Sequence, residues 1–169
     1  MTPTTSTRCS TARSCAPTST APGRRKRGSG DEAIGRSRGG LSTKIHALGD
    51  ALGNPTGFAL SPGQAHDLDG ADALLPDLAA DALIADRAFD AEGRVLRPLE
   101  QAGRTAVIPP KANRKEPRPY DEELYKARHL IENFFAKLKQ YRAIATRYDK
   151  RAVHFLGAVH LAAAVVWLN

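Results

Sequence analysis

Four residues on one short stretch have the types and spacing for phosphate and metal chemistry. In YKARHLIENFFAKLK, residues 125 to 139, Arg128, Glu132 and Lys139 follow Tyr125 at offsets of 3, 7 and 14. A helix turns about 100° per residue, so the four side chains share an arc of roughly 60°. Leu130, Ile131, Phe134, Phe135 and Leu138 fall on the other side, and the spacing predicts an amphipathic helix. A carboxylate held among two cations and a phenol suits a metal ion beside a phosphate. A merely solvated face has the same composition, and periodicity alone does not separate the two.

A second carboxylate, Asp86, ends the run ALIAD at residues 82 to 86. A short apolar run of this kind is what a buried parallel strand requires, and ligands in α/β folds collect at the C-terminal ends of such strands. Asp90 is expected to cap the next helix, residues 91 to 101, which Gly93 and Pro98 weaken and Gly103 closes. TAVIPP then supplies a further strand, completing a β-α-β crossover. Earlier in the chain, KIHALGD and GFALSPG flank Gly53-Asn54-Pro55 and predict an antiparallel hairpin, in which His46 is structural. Asp67 is the expected N-cap of a helix over 69 to 78, and His66 is read as stabilising its loop in preference to touching DNA. The basic, proline-rich loop KANRKEPRPY, residues 111 to 120, offers Lys111, Arg114, Lys115 and Arg118 to a nucleic-acid strand. Residues 152 to 168 are almost wholly apolar but short for a membrane span, and they predict a helix packed on the sheet.

The net charge of +7 is unevenly spread over the 169 residues. Residues 1 to 40 carry eight Lys/Arg against two Asp/Glu, residues 41 to 103 four against ten, and the remainder thirteen against six. Basic ends around an acidic middle fit a carboxylate site flanked by phosphate contacts. Cys9 and Cys15 are the only cysteines, which supports neither a disulfide framework nor a zinc site. With no secretory leader, the cytoplasm is the expected compartment, and a membrane or a small-molecule substrate is not expected.

The pattern Tyr125, Arg128, Glu132, Lys139 resembles the motif around the last acidic residue of the DDE transposases of bacterial insertion sequences. So do GRSRGGLSTKIHALGDALGNP, SPGQAHD, ALIADRAFD, AVIPPKANRKEPRPYD and IATRYDKRAVHFL, which together carry the resemblance from about Gly35 to the C-terminus. The resemblance implies an RNase H-like α/β fold, a mixed sheet flanked by helices, and metal-dependent cleavage and joining of DNA strands. Three carboxylates hold the metals in that family, and Asp86 and Glu132 match two of them. Hard oxygen ligands point to Mg²⁺ or Mn²⁺. Two such ions about 4 Å apart would activate the attacking oxygen and stabilise the leaving one. Arg128 and Lys139 would hold phosphates and Tyr125 would stack beside the DNA, the partner being transposon ends and target. Whether a homodimer forms stays open, and the location implied is cytoplasmic, at the nucleoid.

The third carboxylate is missing. Residues 1 to 23 lack Leu, Ile, Val and aromatic side chains, and the composition predicts disorder. Their codons can be chosen so that a shifted register reads DADYEYAMLDSTIVRAHQHSAG, which resembles the first catalytic strand of the family. Its Asp codon would straddle those of Ser10 and Thr11. The expectation is therefore an out-of-frame, basic segment over 1 to 34, overlapping a basic, Gly-rich linker at 24 to 40. A truncated catalytic domain would follow over 35 to 169, short of its first strand and inactive alone. The alternative is a non-catalytic, basic nucleic-acid-binding module that keeps the fold.

Overall fold

Alternating apolar residues on either side of a turn make Gly40–Gly49 (β3) and Pro55–Pro62 (β4) an antiparallel pair. The Asp50 carboxylate accepts from the backbone N–H groups of Leu52 and Asn54, both at 2.9 Å, and Gly53 takes a φ of 86° that a side chain would oppose. The predicted hairpin is therefore present. The structure is a computed structural model, and it describes residues 7–17, 32–37 and 40–168, with the backbone alone for 7–17.

Thr7–Pro17 (β1) runs antiparallel to β3 from Cys9↔Gly49 to Cys15↔Thr43. On its other edge it runs parallel to Ala82–Ala85 (β5), from Thr7↔Ala82 to Ser10↔Ala85. Thr105–Val107 (β6) continues the sheet parallel to β5. The body of the sheet is thus β4-β3-β1-β5-β6, and Gly35–Ser37 (β2) extends it along β3. Two antiparallel and two parallel pairings in that order, with helices on both faces, make an RNase H-like mixed sheet.

The expected absence of the first strand is corrected by this arrangement. A strand paired on both edges is secured by backbone hydrogen bonds, which are indifferent to side-chain character. Its want of apolar residues therefore does not exclude it from the centre of the sheet. The linker reading is likewise corrected for residues 35 to 37, which pair with β3. The remaining N-terminal expectations, for residues 1–6, 18–31 and 38–39, lie outside the described residues.

Strand alternation sorts the core into two layers. Ile45, Ala47, Ile84 and Val107 face Ile131, Phe134, Phe135 and Leu138 of His129–Leu138 (α4) and Phe155, Val159, Ala162 and Ala163 of Ala152–Leu168 (α5). Leu48, Leu83, Ala85 and Ile108 face Leu68, Ala71 and Leu74 of Asp67–Leu74 (α1) and the segment from Val95 to Leu99. Each large side chain sealed into these layers contributes about 1.5–3 kcal/mol. No helix among the described residues is long and apolar enough to cross a membrane.

Helix details depart from expectation. The helix expected over 69 to 78 is α1, which ends at Leu74, and its N-cap is His66, whose Nδ1 accepts from Leu68 N–H at 3.2 Å. Asp67 instead pairs with Lys44 at 2.7 Å, while His66 stabilises its loop. The segment after β5 is a π-helical turn, Glu92–Leu96, continuing into Arg97–Gln101 (α2). Pro98 stands in the first turn of α2, where its missing N–H is harmless. Asp90 does not cap it, because that carboxylate is buried and otherwise engaged.

Candidate functional site

Asp86 follows β5 directly, and the pleat decides where it points. Ile84 belongs to the α4 layer and Ala85 to the other, so the next side chain returns to the α4 side. On α4 the buried stripe of Ile131, Phe134, Phe135 and Leu138 fixes the helix rotation, leaving Glu132 at the rim. The predicted helix over 125 to 139 is broken into Glu122–Tyr125 (α3), a 3₁₀ turn at Lys126–Arg128, and α4. The cap of α3 is Asp121, which accepts from Leu124 N–H at 2.8 Å.

Arg128, at the end of the 3₁₀ turn, joins the two acids. Its Nη1 lies 2.9 Å from Asp86 Oδ1 and its Nη2 lies 2.6 Å from Glu132 Oε1. The Arg128 side chain is 19% exposed, against 39% for Asp86 and 40% for Glu132. Residues three apart in a 3₁₀ turn eclipse one another, and the Arg128 guanidinium accordingly sits 5.8 Å from the Tyr125 ring centroid. Tyr120 packs edge-on against Tyr125 with centroids 5.6 Å apart. Burial raises the Tyr125 phenol above its ordinary pKa, with Asp86 and Tyr120 adding to the rise and Arg128 opposing it. Of the four signature residues, Tyr125, Arg128 and Glu132 are thus brought together with Asp86. Lys139, the C-cap of α4, stands exposed two turns beyond Glu132.

β1 passes alongside this site. The pairing of β1 with β5 ends at Ser10 opposite Ala85, and Thr11 follows Ser10 along β1 as Asp86 follows Ala85. No Asp or Glu occurs anywhere in TRCSTARSCAP.

The basic loop divides in two. Buried Asp90 accepts from Lys111 N–H at 2.8 Å and pairs with Arg114, which also reaches Glu92 at 2.6 Å. Arg118 donates to the carbonyls of Ala106 and Ile108, at 3.2 and 3.3 Å, and so covers the outer edge of β6. Lys111, Lys115 and Lys139 form no ion pair with any described residue. Sequence reasoning missed the task of Asp90, since a partner 24 positions away leaves no periodic trace. It also missed Arg147, buried against the Phe155 ring at 4.8 Å and bonded to the backbone carbonyls of Asp149 and Lys150.

Among the described residues no group of three or more His, Cys, Asp or Glu side chains could hold a metal. Asp86 and Glu132 nevertheless converge on one positive charge, the guanidinium standing in for a cation. Two carboxylates with part of their surface open fit a single Mg²⁺-like ion that keeps waters or phosphate oxygens. They do not fit a pair of ions.

A mixed sheet of this order, with one acid at the end of β5 and another on the helix facing it, is the architecture of an RNase H-like domain of the DDE kind. Residues 10–167 match the family model described as the transposase DDE domain. The chain is also 41% identical over 130 residues to a Brucella ovis protein whose name assigns it as a transposase for insertion sequence element IS6501. That match covers 76% of this chain and 100% of the relative. The chain belongs to the insertion-sequence DDE transposase family.

Proposed function

We propose that this chain is a transposase catalytic domain that binds DNA and one divalent cation but is impaired in strand cleavage and joining. The observation that carries the reading is the Arg128 fork, which supports Asp86 and Glu132 as the ligands of one Mg²⁺ or Mn²⁺. Such an ion supplies Lewis-acid polarisation of a phosphate oxygen and a bound water of lowered pKa. The chain's own groups do the positioning. Arg128 offers paired N–H donors to a phosphate, Lys139 a point charge further along α4, and Tyr125 an aromatic face to a base. Lys111 and Lys115 extend the phosphate track, while Arg114 and Arg118, their neighbours in sequence, shape the loop that carries them. In the reaction an oxygen nucleophile, water or a 3′-OH, attacks phosphorus. The P–O3′ bond breaks, and the departing oxygen takes up a proton. We assign residues 35–169 together with β1 as the body of the domain, and the rest of residues 1–34 as a basic accessory segment.

The impairment is read from the acid-free sequence of β1, in which Thr11 is the first residue after the last pair with β5 and the position at which we look for a third carboxylate. The second reading, a nucleic-acid-binding module without the reaction, is favoured by the same acid-free strand. Nicking and joining of supercoiled DNA in Mg²⁺ or Mn²⁺ separates the two readings. The parent should join no ends, and Thr11→Asp should gain metal-dependent nicking. Adding Asp86→Asn or Glu132→Gln to Thr11→Asp should remove that gain by about a hundredfold or more. A Thr11→Asp protein that folds, binds Mn²⁺ and still never nicks supports the binding module. Full nicking by the Asp86→Asn or Glu132→Gln combinations overturns the choice of ligands.

A further inference from the structure

We propose that the Arg128 guanidinium is a built-in competitor for the cation, and that a DNA phosphate removes it, so that cation and phosphate bind cooperatively through this one side chain. The proposal rests on the assignment of Asp86 and Glu132 as cation ligands. The geometry that points to it is the engagement of both acids at once. Adjacent nitrogens of one planar group take Asp86 Oδ1 at 2.9 Å and Glu132 Oε1 at 2.6 Å. A divalent ion needs those oxygens, and sharing them places its charge against a fixed guanidinium. The two cations therefore exclude one another in part.

Phosphate is the natural exchange partner. A guanidinium presents parallel N–H donors that fit two phosphate oxygens as well as they fit two carboxylates. A phosphodiester drawing Arg128 away frees the acids for the ion, and an ion on the acids frees Arg128 for the phosphate. The position of Arg128 allows this. It closes the 3₁₀ turn that separates α3 from α4, an interruption of helical hydrogen bonding of the sort that marks hinges. The Tyr125 ring, whose centroid lies 5.8 Å from the guanidinium carbon, gives it a neighbour other than the two acids. Coupling of this kind is reciprocal: the factor by which phosphate tightens the ion equals the factor by which the ion tightens phosphate.

A plain structural clamp predicts the opposite sign. If Arg128 only holds Asp86 and Glu132 in place for the ion, its loss separates two like charges and weakens ion binding. If it competes, its loss strengthens ion binding. Mn²⁺ affinity, read from the resonance of the free ion, distinguishes these without any turnover. A short oligothymidylate serves as the phosphodiester, with its own Mn²⁺ uptake subtracted in a protein-free control. Arg128→Gln should bind Mn²⁺ about fivefold or more tightly than the parent. The oligonucleotide should tighten Mn²⁺ on the parent by a comparable factor and leave Arg128→Gln unchanged. Arg128→Lys keeps the charge but cannot bridge both acids, and it should fall between; it carries the test if Arg128→Gln does not fold. Equal or weaker Mn²⁺ binding by the folded variants, or no binding by any of them, overturns the proposal. Undiminished Mn²⁺ binding by Asp86→Asn and Glu132→Gln would instead reject the ligand assignment beneath it.

Discussion

His46 shows what one buried group commits this protein to. It is fully buried, its Nε2 lies 2.7 Å from Ser61 Oγ, and its Nδ1 has no hydrogen-bond partner among the described residues. Gly70 leaves the room, since a Cβ there would come within 2.0 Å of Nδ1. Burial holds the imidazole below its ordinary pKa; Lys44 acts in the same direction, and Asp67 and Asp69 oppose. The unfolded chain therefore takes up this proton at higher pH than the native chain does. The stabilisation is complete above the unfolded value, about 6.5, and is lost as pH falls through the depressed folded value. Urea midpoints measured between about pH 7.5 and 5 should fall with acidification. His46→Gln, which can still bond Ser61, should flatten that segment of the profile. An unchanged slope would show that other groups carry it.

At the scale of elements, β1 is the member most open to test. Ser10 pairs with Leu48 on one side and Ala85 on the other, so a proline there removes a donor from the middle of the sheet. Ser10→Pro should destabilise the domain by about 3 kcal/mol or prevent folding, read as a shift in the thermal or urea transition. A silent substitution would show that residues 7 to 17 do not pair as described. The elements that sequence made legible were those whose signal is local. The β3–β4 hairpin declared itself through Gly53-Asn54-Pro55, β5 through ALIAD, and the helical phase already set Arg128 and Glu132 on one face. β1 was not legible because its stability comes from neighbours far along the chain rather than from its own side chains. The 3₁₀ turn, the π turn and the His66 cap escaped for a related reason. Packing chooses among backbone variants that share nearly the same periodicity, and Asp67 was drawn from capping duty by Lys44 on β3. Of the site, Asp86, Arg128 and Glu132 were legible as candidates, but the fork that unites them depends on tertiary approach.

For the whole molecule, the proposed binding to DNA makes charge placement the quantity to test. Arg114 and Arg118 are engaged within the domain, whereas Lys111, Lys115 and Lys139 form no ion pair with any described residue and are the ones we propose for phosphates. Each neutralised phosphate contributes about −0.7 to −0.9 to the slope of log affinity against log salt. Replacing the three lysines by alanine should therefore make the slope shallower by about 2 to 3 units, on any DNA sequence. Salt titrations by fluorescence anisotropy measure this. A slope that stays the same would place the DNA elsewhere, while a loss confined to one sequence would mean that these lysines read bases.

The central place of β1 has a consequence for assembly. Its two long edges meet β3 and β5, and main-chain hydrogen bonds join it to both. A slot of that kind accepts any extended segment able to complete both ladders, as in donor-strand complementation. The eleven residues of β1 are short enough to be supplied as a separate peptide. A peptide with Asp at the position of Thr11 would bring the third acid to Asp86 in trans, making the reaction centre a property of two chains.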